Sequence, residues 1–269
     1  MKRIPSNIDE EVESVLSILG GTADAATLRE ELLRYHNRYR MDMDSSKKAV
    51  LKDHGFQSVI ADKKTTVRKK ISEIKEADTN FEIMAKVVDV SVKNTNTRNG
   101  PAVLMIVGIA DDSGLSSISV WEPEDYPEIG RTYRFTDCYV KEFKGVLNIN
   151  LGNRGRYVED ESTTIEPDII KKTVQSALNI DEIRMGMKDV AVRFTIDMII
   201  DENIETKRGP MDIYRCIARG KQKKMIATFW SNHFLEDGMD ICLSKVDVKE
   251  YNNQLKLDID DSCIVIRVD

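Results

Sequence analysis

Apolar residues recur along this chain with two different periods. Before residue 57 the spacing is three or four. Ile8, Val12, Val15 and Leu16 mark one helix, ended by Gly20-Gly21. Leu28, Leu32, Leu33 and Tyr35 mark a second, which Asp24 or Thr27 is placed to cap. Asp44 or Ser45 is placed to cap a third, holding Val50 and Leu51 and stopped at Gly55. From Phe81 the period becomes two. Ile83, Ala85 and Val87 alternate with polar positions, and Val190, Val192, Phe194, Ile196, Met198 and Ile200 do so again. Side chains two apart share one face of a strand, so each run predicts a strand with one buried side.

The two runs open two copies of one unit. The first passes from Asn99-Gly100-Pro101 through Trp121 to Val140-Lys141-Glu142-Phe143. The second passes from Arg208-Gly209-Pro210 through Trp230 to Val248-Lys249-Glu250-Tyr251. Gly100 to Trp121 and Gly209 to Trp230 both span 21 positions, and Val140 to Leu147 and Val248 to Leu255 both span seven. Repetition at this length indicates two domains of one architecture. In each copy the first strand is expected to end in a polar loop, 94–100 or 201–209, closed by Gly-Pro. Strands are then predicted at Val103–Ala110 and Leu115–Trp121, and in the second copy at Met211–Arg219 and Lys224–Trp230. Between them lie tight turns at Asp111–Gly114 and Gly220–Gln222. A short acidic connection leads to a fourth strand (Thr132–Val140; Ile241–Val248) and a hairpin to a fifth (Val146–Leu151; Gln254–Ile259).

Five strands in that order, with the longer connection between the third and fourth, predict an OB-fold barrel. The expected fold is therefore mainly β with a small α-helical N-terminal region, and holds two tandem five-stranded OB-fold barrels. The expected divisions are a helical region at 1–56, a basic linker at 57–70, the first barrel at 71–160, a connector at 161–180 and the second barrel at 181–269. The connector is expected to carry a short helix that starts near Glu166-Pro167 and includes Ile170, Val174 and Leu178.

Composition narrows this reading without redirecting it. Apolar content of 41% and charged content of 32% over 269 residues are those of an ordinary globular protein. Met1-Lys2-Arg3-Ile4-Pro5 leads into polar residues, so no secretion signal is expected, and the longest apolar run, Val103 to Ala110, is too short to cross a bilayer. A cytoplasmic, nucleoid-associated location without membrane contact follows as the expectation. Cys138, Cys216, Cys242 and Cys263 stand alone within strand-like runs, which argues for buried free thiols and against zinc. His36 and His54 are isolated and read as surface or core residues. No nucleophile–base pair, glycine-rich phosphate loop or carboxylate cluster with metal spacing stands out, so neither catalysis, nor a metal, nor a cofactor is expected.

The net charge of −6 argues mildly against nucleic acid. Binding, however, depends on the field inside a groove and not on the sum over the surface. Trp121 and Trp230 alternate with apolar residues, so both are expected on the outer face of the barrel, the face on which OB-folds hold ligands. Phe143 and Tyr251 fall in the hairpin between strands four and five. Rings flanked by cations suit single-stranded nucleic acid, with bases stacked on the rings and cations following the phosphates. The candidate contacts are Arg98, Trp121, Lys141, Phe143, Lys144 and Asn148 in the first unit. In the second they are Lys207, Arg208, Arg215, Trp230, Lys249, Tyr251 and Lys256. The alternative for each tryptophan is closure of the barrel end.

The segment from Ile71-Ser72-Glu73-Ile74 through Trp121 to Lys141-Glu142-Phe143-Lys144-Gly145-Val146-Leu147-Asn148 resembles an OB-fold of the archaeal replication protein A family of single-stranded DNA-binding proteins. The second unit is similar to it more loosely, through Trp230 and Val248-Lys249-Glu250-Tyr251. The resemblance implies sequence-tolerant binding of single-stranded DNA in replication, recombination and repair, with Trp121, Phe143, Trp230 and Tyr251 as the stacking rings. It also implies protein partners, such as further single-stranded DNA-binding subunits, for which the N-terminal helices are available. Many relatives carry a four-ligand zinc finger after the OB-folds, which this sequence lacks. Binding of RNA and a role as a protein-interaction scaffold are the alternative readings. Because cations from Lys207 to Lys224 are denser than those of the first unit, the second unit is expected to depend more steeply on salt.

Overall fold

A computed structural model describes residues 8–20, 23–38, 43–54, 66–97, 100–143, 146–152, 154–206, 209–251 and 254–268, without the side chains of Arg38, Asp44, Phe143, Val146 and Tyr251. The chain divides into two compact units, Met1–Lys64 and Thr65–Asp269.

The first unit holds α1 (Ile8–Ile18), α2 (Ala25–Arg38) and α3 (Met43–Asp53). Their apolar stripes meet in one small core that includes Val12, Val15, Leu28, Leu32, Val50 and Leu51. Asp24 caps α2, its carboxylate accepting the Thr27 N–H at 3.0 Å. The third helix begins at Met43, so Asp44 and Ser45 lie inside its first turn instead of capping it. Tyr35 donates its hydroxyl to Asp53 at 2.6 Å, and His54 meets Glu31 at 2.8 Å.

The second unit begins with the short β1 (Val67–Arg68) and a single 3-10 turn at Ile71–Glu73. Then come β2 (Thr79–Thr97), β3 (Gly100–Asp111), β4 (Gly114–Trp121), β5 (Thr132–Phe143), β6 (Val146–Leu151) and β7 (Tyr157–Glu159). After α4 (Asp168–Ser176) the pattern returns as β8 (Leu178–Asn179), β9 (Val190–Thr206), β10 (Gly209–Arg219) and β11 (Lys224–Phe229). It ends with β12 (Asp240–Tyr251), β13 (Gln254–Ile259) and β14 (Val265–Val268). The first sheet runs β1-β2-β3-β4-β6-β5-β7 and closes through β2–β5. Read from its other end, the second runs β8-β9-β10-β11-β13-β12-β14 and closes through β9–β12. The protein is mainly β, with the closed five-stranded arrangement of an OB-fold.

Two expectations need correction. The stretches expected as polar loops are strands: Asn94–Thr97 pairs with Gly100–Val103, and Asp201–Thr206 with Gly209–Tyr214. Both are two-stranded arms, which the scarcity of apolar residues disguised, because backbone pairing does not require them. Leu178 lies beyond α4, which ends at Ser176, and belongs to β8.

The two rings are docked on each other through a defined joint. The register of β2 on β3 slips between Val87 and Asp89, a bulge that leaves the following pairs on a new alternation. Val87 and Val90 pack inside the first ring, whereas Val88 packs with Ala110, Cys242, Ile264 and Ile266 in a separate cluster. Ile169, Ile170 and Val174 of α4 complete that cluster. Asp89 and His233 are both buried, and His233 Nδ1 lies 3.1 and 3.0 Å from the two carboxylate oxygens. Asp89 also accepts the Val265 N–H at 3.0 Å. Beside them Val92 and Asn232 exchange both backbone hydrogen bonds, at 2.9 and 2.8 Å. Gly108 faces this joint, and a Cβ there would sit 2.8 Å from Asp89 Cβ and 2.9 Å from Ile264 Cγ2. A larger residue there forces Asp89 or Ile264 to shift.

Removing a buried carboxylate leaves His233 and the Val265 N–H without their hydrogen-bond partner, at a cost of about 1–3 kcal/mol for each group stranded. Asp89→Ala is expected to lower unfolding stability by that order, and urea denaturation of the full chain checks it. An unchanged midpoint would mean that the joint is not under load.

Candidate nucleic-acid interface

The register fixes what each ring presents to its outside. In the first ring, Lys93, Leu104 and Trp121 form one row across β2, β3 and β4. Ser91, Ile106, Ser119, Asn150 and Tyr139 form the next. Lys141 opposes Asn148 one step further on. Ile118 and Val120 point into the core, so Ser117, Ser119 and Trp121 lie outside as their alternation predicts.

Half of this outer face is taken up by the joint. Ser91, Leu104 and Ile106 are buried, as are Val88 and Ala110 beneath Ile264, Ile266 and α4. What remains open is the edge made by β4, β6 and β5. Trp121 is 46% exposed there. Tyr139, not singled out from sequence, lines the same cleft as Trp121, with a volume of about 700 Å³. Arg154 and Arg156 line it too, flanking Gly155, where a Cβ would meet Leu151 Cγ at 2.6 Å. Lys141, Arg154 and Arg156 are exposed and form no ion pair with any described residue. Tyr157 closes the cleft floor. Burial raises its hydroxyl pKa, as does its hydrogen bond to Asp125.

The second ring presents a different surface at matching positions. Ile200, Arg215, Thr228, Asp258 and Asp247 form one row, and Met198, Ile217, Ile226, Lys256 and Lys249 the next. Its expected cations are engaged. Arg215 pairs with Glu202 at 2.6 Å, and Lys249 and Lys256 meet Asp258 at 3.3 and 2.9 Å. Arg219 and Lys224 both reach Asp197, whose carboxyl is held below the usual carboxylate range by Lys224 first and Arg219 after it. These acids sit on the same or other strands of the ring, and Lys221 and Lys223 form no ion pair with any described residue. Trp230 lies just past the end of β11 and is half-buried. Thr228 faces outward by register, yet is buried with its hydroxyl unpartnered among the described residues.

Arg98, Lys144, Lys207 and Arg208 lie outside the described residues, as do the side chains of Phe143 and Tyr251. By backbone register, Phe143 opposes Val146, three residues before the Ile149 that faces Ile118. That puts it about 20 Å along the sheet from Trp121. The basic stretch before the first ring is partly structural, since Arg68 pairs with Glu82 and Lys69 with Asp78. The four cysteines are buried, and burial pushes the thiols of Cys138, Cys216 and Cys263 up to about 12 and that of Cys242 to about 11. Thiols so protonated are poor nucleophiles.

No family model matches the chain, and no curated protein matches it. Among solved structures it is similar to a replication protein A heterotrimer bound to single-stranded DNA, at 13% identity and a TM-score of 0.52. That alignment covers 75% of this chain and 52% of the other, so this chain spans about half of it. Shorter likenesses include the second OB-fold domain of replication protein A from Methanococcus maripaludis, at 23% identity and a TM-score of 0.31 over 36% of this chain and 98% of that one. An OB domain from Thermoplasma acidophilum matches at 17% identity and a TM-score of 0.32 over 35% and 87%. At such identities the first likeness speaks for the fold.

An exposed ring contributes little to folding. Trp121→Ala is expected to change unfolding stability by less than about 1 kcal/mol, whereas a core tryptophan would cost about 3–5 kcal/mol. Thermal melting of the variant separates the two, and a large loss would return Trp121 to the core.

Proposed function

We propose that this protein binds single-stranded DNA without catalysis, using the open edge of its first OB ring as the main contact and the second ring as an auxiliary one. One observation carries the reading: exposed Trp121 shares a cleft with Tyr139 and with Arg154 and Arg156, cations that no described acid neutralises. Stacking on such rings is worth about 1–3 kcal/mol per base and is open only to unpaired bases. Lys141 and Asn148 extend the polar track toward the β5–β6 hairpin. The proposal includes a role in replication, recombination or repair inside the cell, with other proteins of those processes as partners.

The second ring is auxiliary because a phosphate must compete with Asp258, Asp197 or Glu202 for its cations. Counterion release makes the logarithm of affinity fall with the logarithm of salt, by about 0.7 per phosphate contact on a single strand. Fluorescence anisotropy of the full chain with oligo-dT is therefore expected to give tighter binding than with duplex DNA of equal length. Lys141→Gln, Arg154→Gln and Arg156→Gln should each flatten the salt slope by about 0.7, and Lys249→Gln or Lys256→Gln by much less. Equal affinity for duplex and single strand would defeat the stacking reading. Slopes that respond only to the second-ring variants would move the main site there.

A further inference from the structure

We infer that the cleft beside Trp121 reads the exocyclic amino group of a base, so that the first ring favours cytosine over uracil or thymine. This rests on the single-strand reading above. The cleft has a polarity that simple phosphate tracking does not need. Trp121 and Tyr139 provide rings for stacking and Arg154 and Arg156 positive charge, but the connection that follows Trp121 adds the carboxylates of Glu122, Glu124 and Asp125 to the same lining. Two of these are committed within the protein. Glu122 accepts the Val103 N–H at 2.9 Å, and Asp125 accepts the Tyr157 hydroxyl. Glu124 is exposed, lines the cleft and has no partner among the described residues.

A free carboxylate repels phosphate, so at a phosphate contact it would only weaken binding. Within reach of a base stacked on Trp121 it acts as a pure acceptor. At ring position 4 cytosine offers it the N4 amino donor, whereas uracil and thymine offer the O4 acceptor and meet it lone pair to lone pair, their edge donor being N3–H instead. The repeat supports assignment to the first ring alone. Glu124 stands three residues after Trp121, and the residue three after Trp230 is His233, which is buried against Asp89 in the joint. The equivalent position of the second ring is thus unavailable to a ligand.

The test is fluorescence anisotropy of the full chain at pH 7.5 with oligo-dC and oligo-dU of equal length, whose bases differ in the group at ring position 4 and in whether N3 accepts or donates. The wild type is expected to bind oligo-dC about three- to tenfold more tightly. Glu124→Gln should close that gap mainly by raising affinity for oligo-dU, because an amide can donate to O4 as readily as it accepts from N4. Equal affinities in the wild type would overturn the inference and leave single-strand binding standing. A gap that survives Glu124→Gln would overturn the assignment of the contact. Absence of binding to either oligonucleotide would remove the underlying reading, and this inference with it.

Discussion

A single buried carboxylate organises the larger unit. Asp89 sits in the joint between two rings, where an unpaired charge would cost several kcal/mol, and it is tolerated because His233 and the Val265 backbone both reach it from the other ring. Those donors exist only when the second ring is docked. The bulge at Val87–Asp89 places the apolar Val88 in the joint and Asp89 against Gly108. Docking, burial and satisfaction of the charge are thus one event.

From that constraint follows the difference between two repeats of one design. The register of the second ring slips at the corresponding place, between Ile217 and Ala218, beside Asp197 and Met198. There the acid stays at the surface and holds Arg219 and Lys224, and the methionine is exposed. One ring therefore gives part of its outer face to intramolecular packing and keeps an aromatic edge with free cations. The other pairs Arg215, Arg219, Lys224, Lys249 and Lys256 of its surface with its own acids. An OB barrel permits this division because its outer face is not needed to complete its core.

The asymmetry left one trace in the sequence. Val103 to Ala110 is apolar at every position but Gly108, whereas its counterpart Met211–Arg219 alternates with Asp212, Arg215 and Arg219. A continuous apolar run marks a strand buried on both faces, and β3 is one: Met105, Val107 and Ile109 face the core while Ala110 faces the joint. His233 carried no comparable signal, since nothing local distinguishes a histidine that will meet an aspartate 144 positions earlier.

The sequence by itself determined the local and periodic features: three N-terminal helices, a strand period of two, a duplicated five-strand order, and a tryptophan on the outer alternation of the first ring. Those follow from side-chain spacing along one strand or helix, which folding does not rearrange. Only the tertiary structure decided which cations are free, which half of the outer face is open, and that Tyr139, Arg154 and Arg156 stand with Trp121. The partners that decide these matters, Asp258 for Lys249, Asp197 for Arg219 and Lys224, and Ile264 over Gly108, come from other strands or the other ring. Charge pairing and burial act through space, and the sequence records only the order along the chain.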